Sequence, residues 1–197
     1  MTSLNQSQQQ RQALRKQVRQ ARRALSDDQQ RCASEALLSY FCESSEVKNA
    51  SRIALYLSVD GEIDTQPLID ACWQQGKEVF LPVLHPFTPG HLLFLLYRKE
   101  TPMKANTYGI AEPVLDVTAV CPVTEIDVIC TPLVAFDAQG QRLGMGGGYY
   151  DRTLTTKGLK ATPIGLAHDC QQVERLPVEA WDVPLPHILT PSRHWRW

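Results

Sequence analysis

The segment Gly140-Gln141-Arg142-Leu143-Gly144-Met145-Gly146-Gly147-Gly148-Tyr149-Tyr150-Asp151-Arg152 holds five of the chain's eleven glycines, framed by two arginines. Glycine loses more backbone freedom on folding than any other residue, so ordering such a run is costly. What the run offers is backbone without side chains, whose N–H groups can approach a polyanion closely. Tyr149 to Leu154 reads as the first turns of a helix. A glycine loop entering a helix N-terminus combines free N–H donors with the positive end of the dipole, which is a phosphate cradle. The pattern is not a P-loop, because Tyr149-Tyr150 stands where Lys-Ser or Lys-Thr is needed. A dinucleotide fingerprint begun at Gly144 would need glycine in place of Tyr149. On the glycines alone a flexible surface turn is the rival reading. Arg142, Asp151 and Arg152 favour phosphate: arginine pairs with phosphate oxygens, and a carboxylate beside phosphate implies a bridging metal.

The elements that must position this loop follow from the rest of the chain. At 197 residues and 43% hydrophobic, it supports one substantial core and a single domain over 1–197. A net charge of −1 gives no nucleic-acid or membrane signal, although Arg11, Arg15, Lys16, Arg19, Arg22, Arg23 and Arg31 make a local basic helix. The six cysteines form no CxxC pair and carry no histidine at metal-ligand spacing. Reduced thiols, a polar start without an apolar h-region and no membrane-length apolar run point to the cytoplasm.

Residues 1–10 are polar and expected to fray. Leu14, Val18, Ala21 and Leu25 recur at helical spacing, and Ser26 to Gln29 is a capping box opening a second helix with Ala33, Ala36, Leu37, Tyr40 and Phe41 inward. Strands are expected at 53–57, 79–81, 92–97, 127–132 and 163–167, with a helix capped at Thr65-Gln66-Pro67 and ending at Gly76. Residues 99–126 read as irregular, the post-loop helix is expected to stop at Gly158, and 184–190 reads as an edge strand because of its prolines. This alternation implies an α/β fold: a three-layer α/β/α sandwich with a mostly parallel central sheet and an N-terminal helical pair. A ligand then lies at the C-terminal ends of the strands.

Arg142 to Asp151 resembles the signature of the 5-formyltetrahydrofolate cyclo-ligase (5,10-methenyltetrahydrofolate synthetase) family. Three further segments agree in order: Arg11 to Arg15, Leu55 to Ser58 with Gly61 to Thr65, and Asp182 before a last strand. The resemblance spans about residues 11 to 190. It implies ATP and Mg²⁺, a reduced folate, and release of ADP and phosphate. The implied site is carried over position by position. Arg142 and Tyr149 are the catalytic residues. Arg11, Arg15, Arg142, Leu143, Gly144, Met145, Gly146, Gly147, Gly148, Tyr149 and Tyr150 bind ATP. Leu57, Glu62, Tyr108, Tyr149 and the stretch Met145 to Gly148 bind the folate. Asp151 and Asp182 hold Mg²⁺. Where the family often has a loop lysine this chain has Gly147, leaving Arg142 or Arg152 to supply the charge. Partners are then small molecules, without nucleic acid or membrane, and the chain acts as a monomer.

Bland readings stand beside these. Arg15 and Arg11 are solvated helix charges, Glu62 and Gly61 fill a turn, Asp182 makes a salt bridge, Tyr108 shields a core edge, and Leu57 is core. Other classes are a sugar-phosphate isomerase or acyl-CoA-type transferase without ATP, an RNA-binding basic helix, and a thiol site at His168-Asp169-Cys170.

Overall fold

The computed structural model describes residues 2–197, with side chains from Gln6 onward; Met1 lies outside the described residues. Five helices are α1 Thr2–Arg23, α2 Asp27–Glu43, α3 Ser45–Asn49, α4 Gln66–Gln74 and α5 Tyr149–Leu154. The strands of the first half are β1 Arg52–Ala54, β2 Glu78–Leu84, β3 Leu92–Leu96, β4 Met103–Ala105, β5 Ala111–Pro113 and β6 Val120–Cys121. Those of the second half are β7 Val128–Pro132, β8 Ala135–Phe136, β9 Arg142–Leu143, β10 Thr162–Leu166, β11 His187–Thr190 and β12 Arg193–Arg196.

Eight strands form one sheet in the order β12-β11-β10-β7-β1-β2-β3-β6. The inner pairs β11/β10, β10/β7, β7/β1 and β1/β2 are parallel, and the outer pairs are antiparallel. Continuous apolar runs such as Val128-Ile129-Cys130 mark inner strands covered on both faces. One face is covered by α2 and α4, with Leu37, Phe41, Leu68 and Ile69 packing on Ile53, Val79, Val128 and Ile164. The other face packs Ala54, Phe80, Phe94 and Ile129 under Tyr150 and Leu154 of α5. After β1 the chain passes through α4 to β2 on one side, then returns to β7 on the other. The crevice between β1 and β7 is therefore the switch point at which open α/β sheets bind ligands.

The capping box forms: the Ser26 side chain accepts from Gln29 N–H, and the Gln29 side chain accepts from Ser26 N–H. Several boundaries differ from the sequence reading. α1 begins at Thr2, because long-range contacts tie its first turns down: Ser7 Oγ donates to Glu179 at 2.6 Å, and Arg11 pairs with Asp182. Thr65 flanks α4 but spends its hydroxyl on the Tyr56 carbonyl, at 2.5 Å. β11 is an inner strand, not an edge, since Pro184 and Pro186 precede it and leave its own N–H groups free to pair with β10 and β12. The 99–126 stretch contains the β4–β5 hairpin and β6. α5 ends at Leu154, four residues short of Gly158. Among the described residues no helix is long and apolar enough to cross a membrane, and all six cysteines are free.

Candidate active site

α1 crosses the C-terminal ends of the central strands and presents arginines to them. Arg22 is fully buried. It donates to the Asp60 carbonyl and carboxylate, at 2.8 and 2.7 Å, and to the Leu133 carbonyl at 3.4 Å. Asp60 follows β1 and Leu133 follows β7, so this one side chain bridges the switch point. Arg19 and Arg23 also bond the Asp60 carboxylate. Burial pushes Asp60 up, but hydrogen bonds from Arg19 and Arg23 outweigh it and hold its pKa at about 2. The periodicity reading put Ala21 inside; the structure exposes Ala21 and buries Arg22.

The turn pinned in this way carries Glu62. Its Oε2 accepts from Val59 N–H at 3.1 Å, and its Oε1 lies 3.8 Å from Arg22. Glu62 is nearly buried, its side chain 9% exposed. Burial pushes its pKa up to about 7, against the pull of Arg22. Tyr56, buried on the strand side, has a hydroxyl with no partner among the described residues and a pKa raised first by burial and then by Glu62. Leu57 is half-buried and packs on the edge of the core.

The glycine loop lies between β9 and α5. The β8–β9 hairpin is fixed by Asp137, a buried carboxylate accepting from Gln139, Gln141 and Leu176 N–H groups. That hairpin presents Arg142, whose side chain is only 2% exposed. Arg142 Nη2 donates to Asp151 Oδ1 at 2.6 Å, while its buried Nε has no partner among the described residues. Burial lowers the Arg142 pKa, opposed by Asp151 and Asp182. A Cβ at Gly147 would lie 2.7 Å from the Tyr149 ring, so a side chain there requires that ring to move, and Gly148 holds φ +67°, where a side chain strains the backbone. With only six residues, α5 supplies little dipole; loop N–H groups and arginines carry the site's positive character.

Arg11 makes a two-pronged bond to Asp182, at 2.5 and 2.8 Å. Asp182 is pushed up by burial, yet Arg11 holds its pKa below the usual range. Asp182 also accepts from Glu179 N–H, so this expected metal ligand is engaged with Arg11. Asp151 accepts from Arg142 and, at 3.3 Å, from Val183 N–H, both through Oδ1. Arg15 donates to the Gly144 carbonyl at 2.8 Å. Met145 is exposed at the loop's tip. Tyr108, at the β4–β5 turn, and Tyr149 share a hydroxyl contact of 3.0 Å with rings edge to face. Tyr150 is half-buried, and its pKa is raised by desolvation and by Glu62 while Arg142 opposes. The acidic turn and the glycine loop thus border one space.

Sequence reasoning left the buried Arg22 and Tyr56 without a role, and it read His168, whose buried Nε2 has no partner among the described residues, only as part of a thiol site. Arg22 was discoverable as the residue four past Val18 on the inward helix face. The thiol reading has no geometry behind it: Asp169 bonds Ser192, and burial lowers the His168 pKa to about 4. The RNA reading loses most of its charge, since Arg11, Arg19, Arg22, Arg23 and Arg31 face carboxylates of this chain and leave only Arg15 and Lys16 of the basic set.

The model of the 5-formyltetrahydrofolate cyclo-ligase family matches residues 7–191. The chain belongs to the 5-formyltetrahydrofolate cyclo-ligase family. It is 52% identical over 181 residues to the 5-formyltetrahydrofolate cyclo-ligase of Escherichia coli, covering 91% of this chain and all of that one. Identity to the enzyme of the same name from Haemophilus influenzae is 53% over 182 residues, covering 92% and 97%. The NMR structure of Aquifex aeolicus 5,10-methenyltetrahydrofolate synthetase superposes with a TM-score of 0.81 at 34% identity, covering 94% of this chain and 92% of that one. The mixed, mostly parallel sheet with its N-terminal helices is this family's fold.

Proposed function

We propose that this cyclo-ligase family member closes 5-formyltetrahydrofolate to 5,10-methenyltetrahydrofolate, converting ATP to ADP and phosphate. A formamide oxygen is a poor nucleophile and, as hydroxide, a poor leaving group. Moving the γ-phosphoryl group onto it solves the second problem: N10 attacks the activated formyl carbon and the oxygen departs as phosphate. The protein's main task is then to stabilise charge around a moving phosphoryl group.

Arg142 carries this reading. An almost fully buried guanidinium with an unpartnered Nε is a donor waiting for an anion. The N–H groups of Gly144 to Gly148 and the Arg15 guanidinium bound the same space. Met145 lies exposed on the nucleotide side, whereas Leu143 and Tyr150 support the loop from beneath, the first packed on Val18, Val134 and Ala135 and the second on the Ala54–Ile129 face of the sheet. Asp151 fits a magnesium ion, since its Oδ2 makes no hydrogen bond among the described residues. Asp182 would serve as a second carboxylate on exchanging Arg11 for the ion, and the metal, when bound, would supply neutralisation of phosphate charge. On the folate side Glu62 accepts from the pterin N–H edge, Leu57 packs on the ring, and Tyr108 and Tyr149 flank it. Six free thiols support action in a reducing compartment such as the cytoplasm.

The test is the near-ultraviolet absorbance of the methenyl product, with ATP and Mg²⁺ together and each omitted. Signal requiring both is expected. A full signal without ATP would overturn the reading.

A further inference from the structure

The arginines around the site differ in what they hold. Arg11 and Arg142 face Asp182 and Asp151, and Arg19, Arg22 and Arg23 face Asp60. Arg152 is bonded to carbonyl oxygens instead. Its Nε donates to Gly90 at 2.6 Å, and its Nη2 donates to Gly147. Neither acceptor carries a formal charge, so the guanidinium keeps its full positive charge beside the loop. The fork has N–H groups left over after these two bonds.

The space around this guanidinium is shaped for it. A Cβ at Gly90 would lie 2.5 Å from Arg152 Nη2, and one at Gly148 would lie 2.8 Å from Nη1. Two glycines with positive φ, from segments 58 residues apart in sequence, thus leave room for one exposed side chain. Arg15 holds the Gly144 carbonyl at the other end of the loop. The loop therefore has a guanidinium at each end, both bonded to its own carbonyls.

We infer that Arg152 is a further phosphate-contacting residue, meeting the terminal phosphoryl group of the nucleotide from the Gly147–Gly148 end of the loop. This rests on the ATP reading of the site. The bonds to Gly90 and Gly147 aim the planar fork, and the remaining N–H groups bind phosphate oxygens. The same bonds couple the tip of the β2–β3 hairpin, where Phe87 is exposed, to the nucleotide loop.

The test compares ADP with a non-hydrolysable ATP analogue, each with Mg²⁺, by titration calorimetry on wild-type protein, Arg152→Met and Arg152→Lys. Arg152 is exposed, and thermal melts verify that both variants fold. The expected result is that Arg152→Met weakens the ATP analogue roughly 10- to 100-fold. ADP affinity should stay within about two-fold, and lysine should restore part of the loss. Equal losses for both nucleotides would make Arg152 only a tie between loops and overturn the inference, as would no loss for either. Wild-type protein binding neither nucleotide would remove the ATP reading itself, and this inference with it.

Discussion

The acidic turn after β1 and the glycine loop before α5 are both reached by arginines of α1, yet they are held in opposite ways. Three arginines converge on the single carboxylate of Asp60, one of them fully buried. The glycine loop is held by guanidinium bonds to its carbonyls, from Arg15 at one end and Arg152 at the other. Ion pairs out of bulk water are stiff and costly to disturb, whereas bonds to exposed carbonyls exchange readily with solvent or a ligand. The wall proposed to receive the rigid pterin is prebuilt. The loop proposed to receive a flexible triphosphate keeps its cations free to re-pair.

The contrast can be broken at its strongest point first. Arg142→Met should lower kcat/KM about 10³-fold while leaving the acidic turn intact, because it removes the buried donor proposed to meet the moving phosphoryl group. Steady-state kinetics showing less than a ten-fold loss would refute that role. Asp60→Asn attacks the other region. It strips the buried Arg22 of its carboxylate partner and should cost about 3 kcal/mol in urea denaturation. A loss below about 1 kcal/mol would show the turn to be no stiffer than the loop.

Glu62 sharpens the comparison through pH. Its folded pKa is raised from the ordinary 4.5 to about 7. Between those values the folded protein keeps a proton that the unfolded chain has lost. Glu62 therefore costs stability progressively as pH rises through that window. The Glu62→Gln protein should gain several degrees in Tm over wild type between pH 5 and pH 8. Parallel Tm profiles would show that the carboxylate is already ionised. The smallest effect belongs to the rim: Tyr108→Phe removes one exposed hydroxyl contact and should raise the folate KM about three-fold. An unchanged KM would take Tyr108 out of the pocket.

The glycine loop was legible in sequence because its requirement is local: the residue types at 144–148 are dictated by backbone they themselves form. The inner strands were legible for a similar reason, as apolar runs such as 128–130 announce cover on both faces. α1 was legible as a helix and misread as a face. Spacing alone chose Ala21, because burying Arg22 depends on Asp60, 38 residues away and fixed by another element. The three-residue strands of the β4–β5 hairpin are too short to alternate, and prolines at 184 and 186 mimic an edge while standing just outside their strand.

Between Arg11, paired beside the glycine loop, and Arg22, paired beside the acidic turn, α1 runs eleven residues without a break. At 1.5 Å per residue that is about 17 Å of stiff rod. The helix is therefore a ruler as well as a source of charge, setting the interval between the glycine loop and the acidic turn. Adding one residue between them would lengthen the rod by about 1.5 Å and swing one set of arginines about 100° off its partners. Length and phase in this stretch are under tighter constraint than its plain, polar composition suggests.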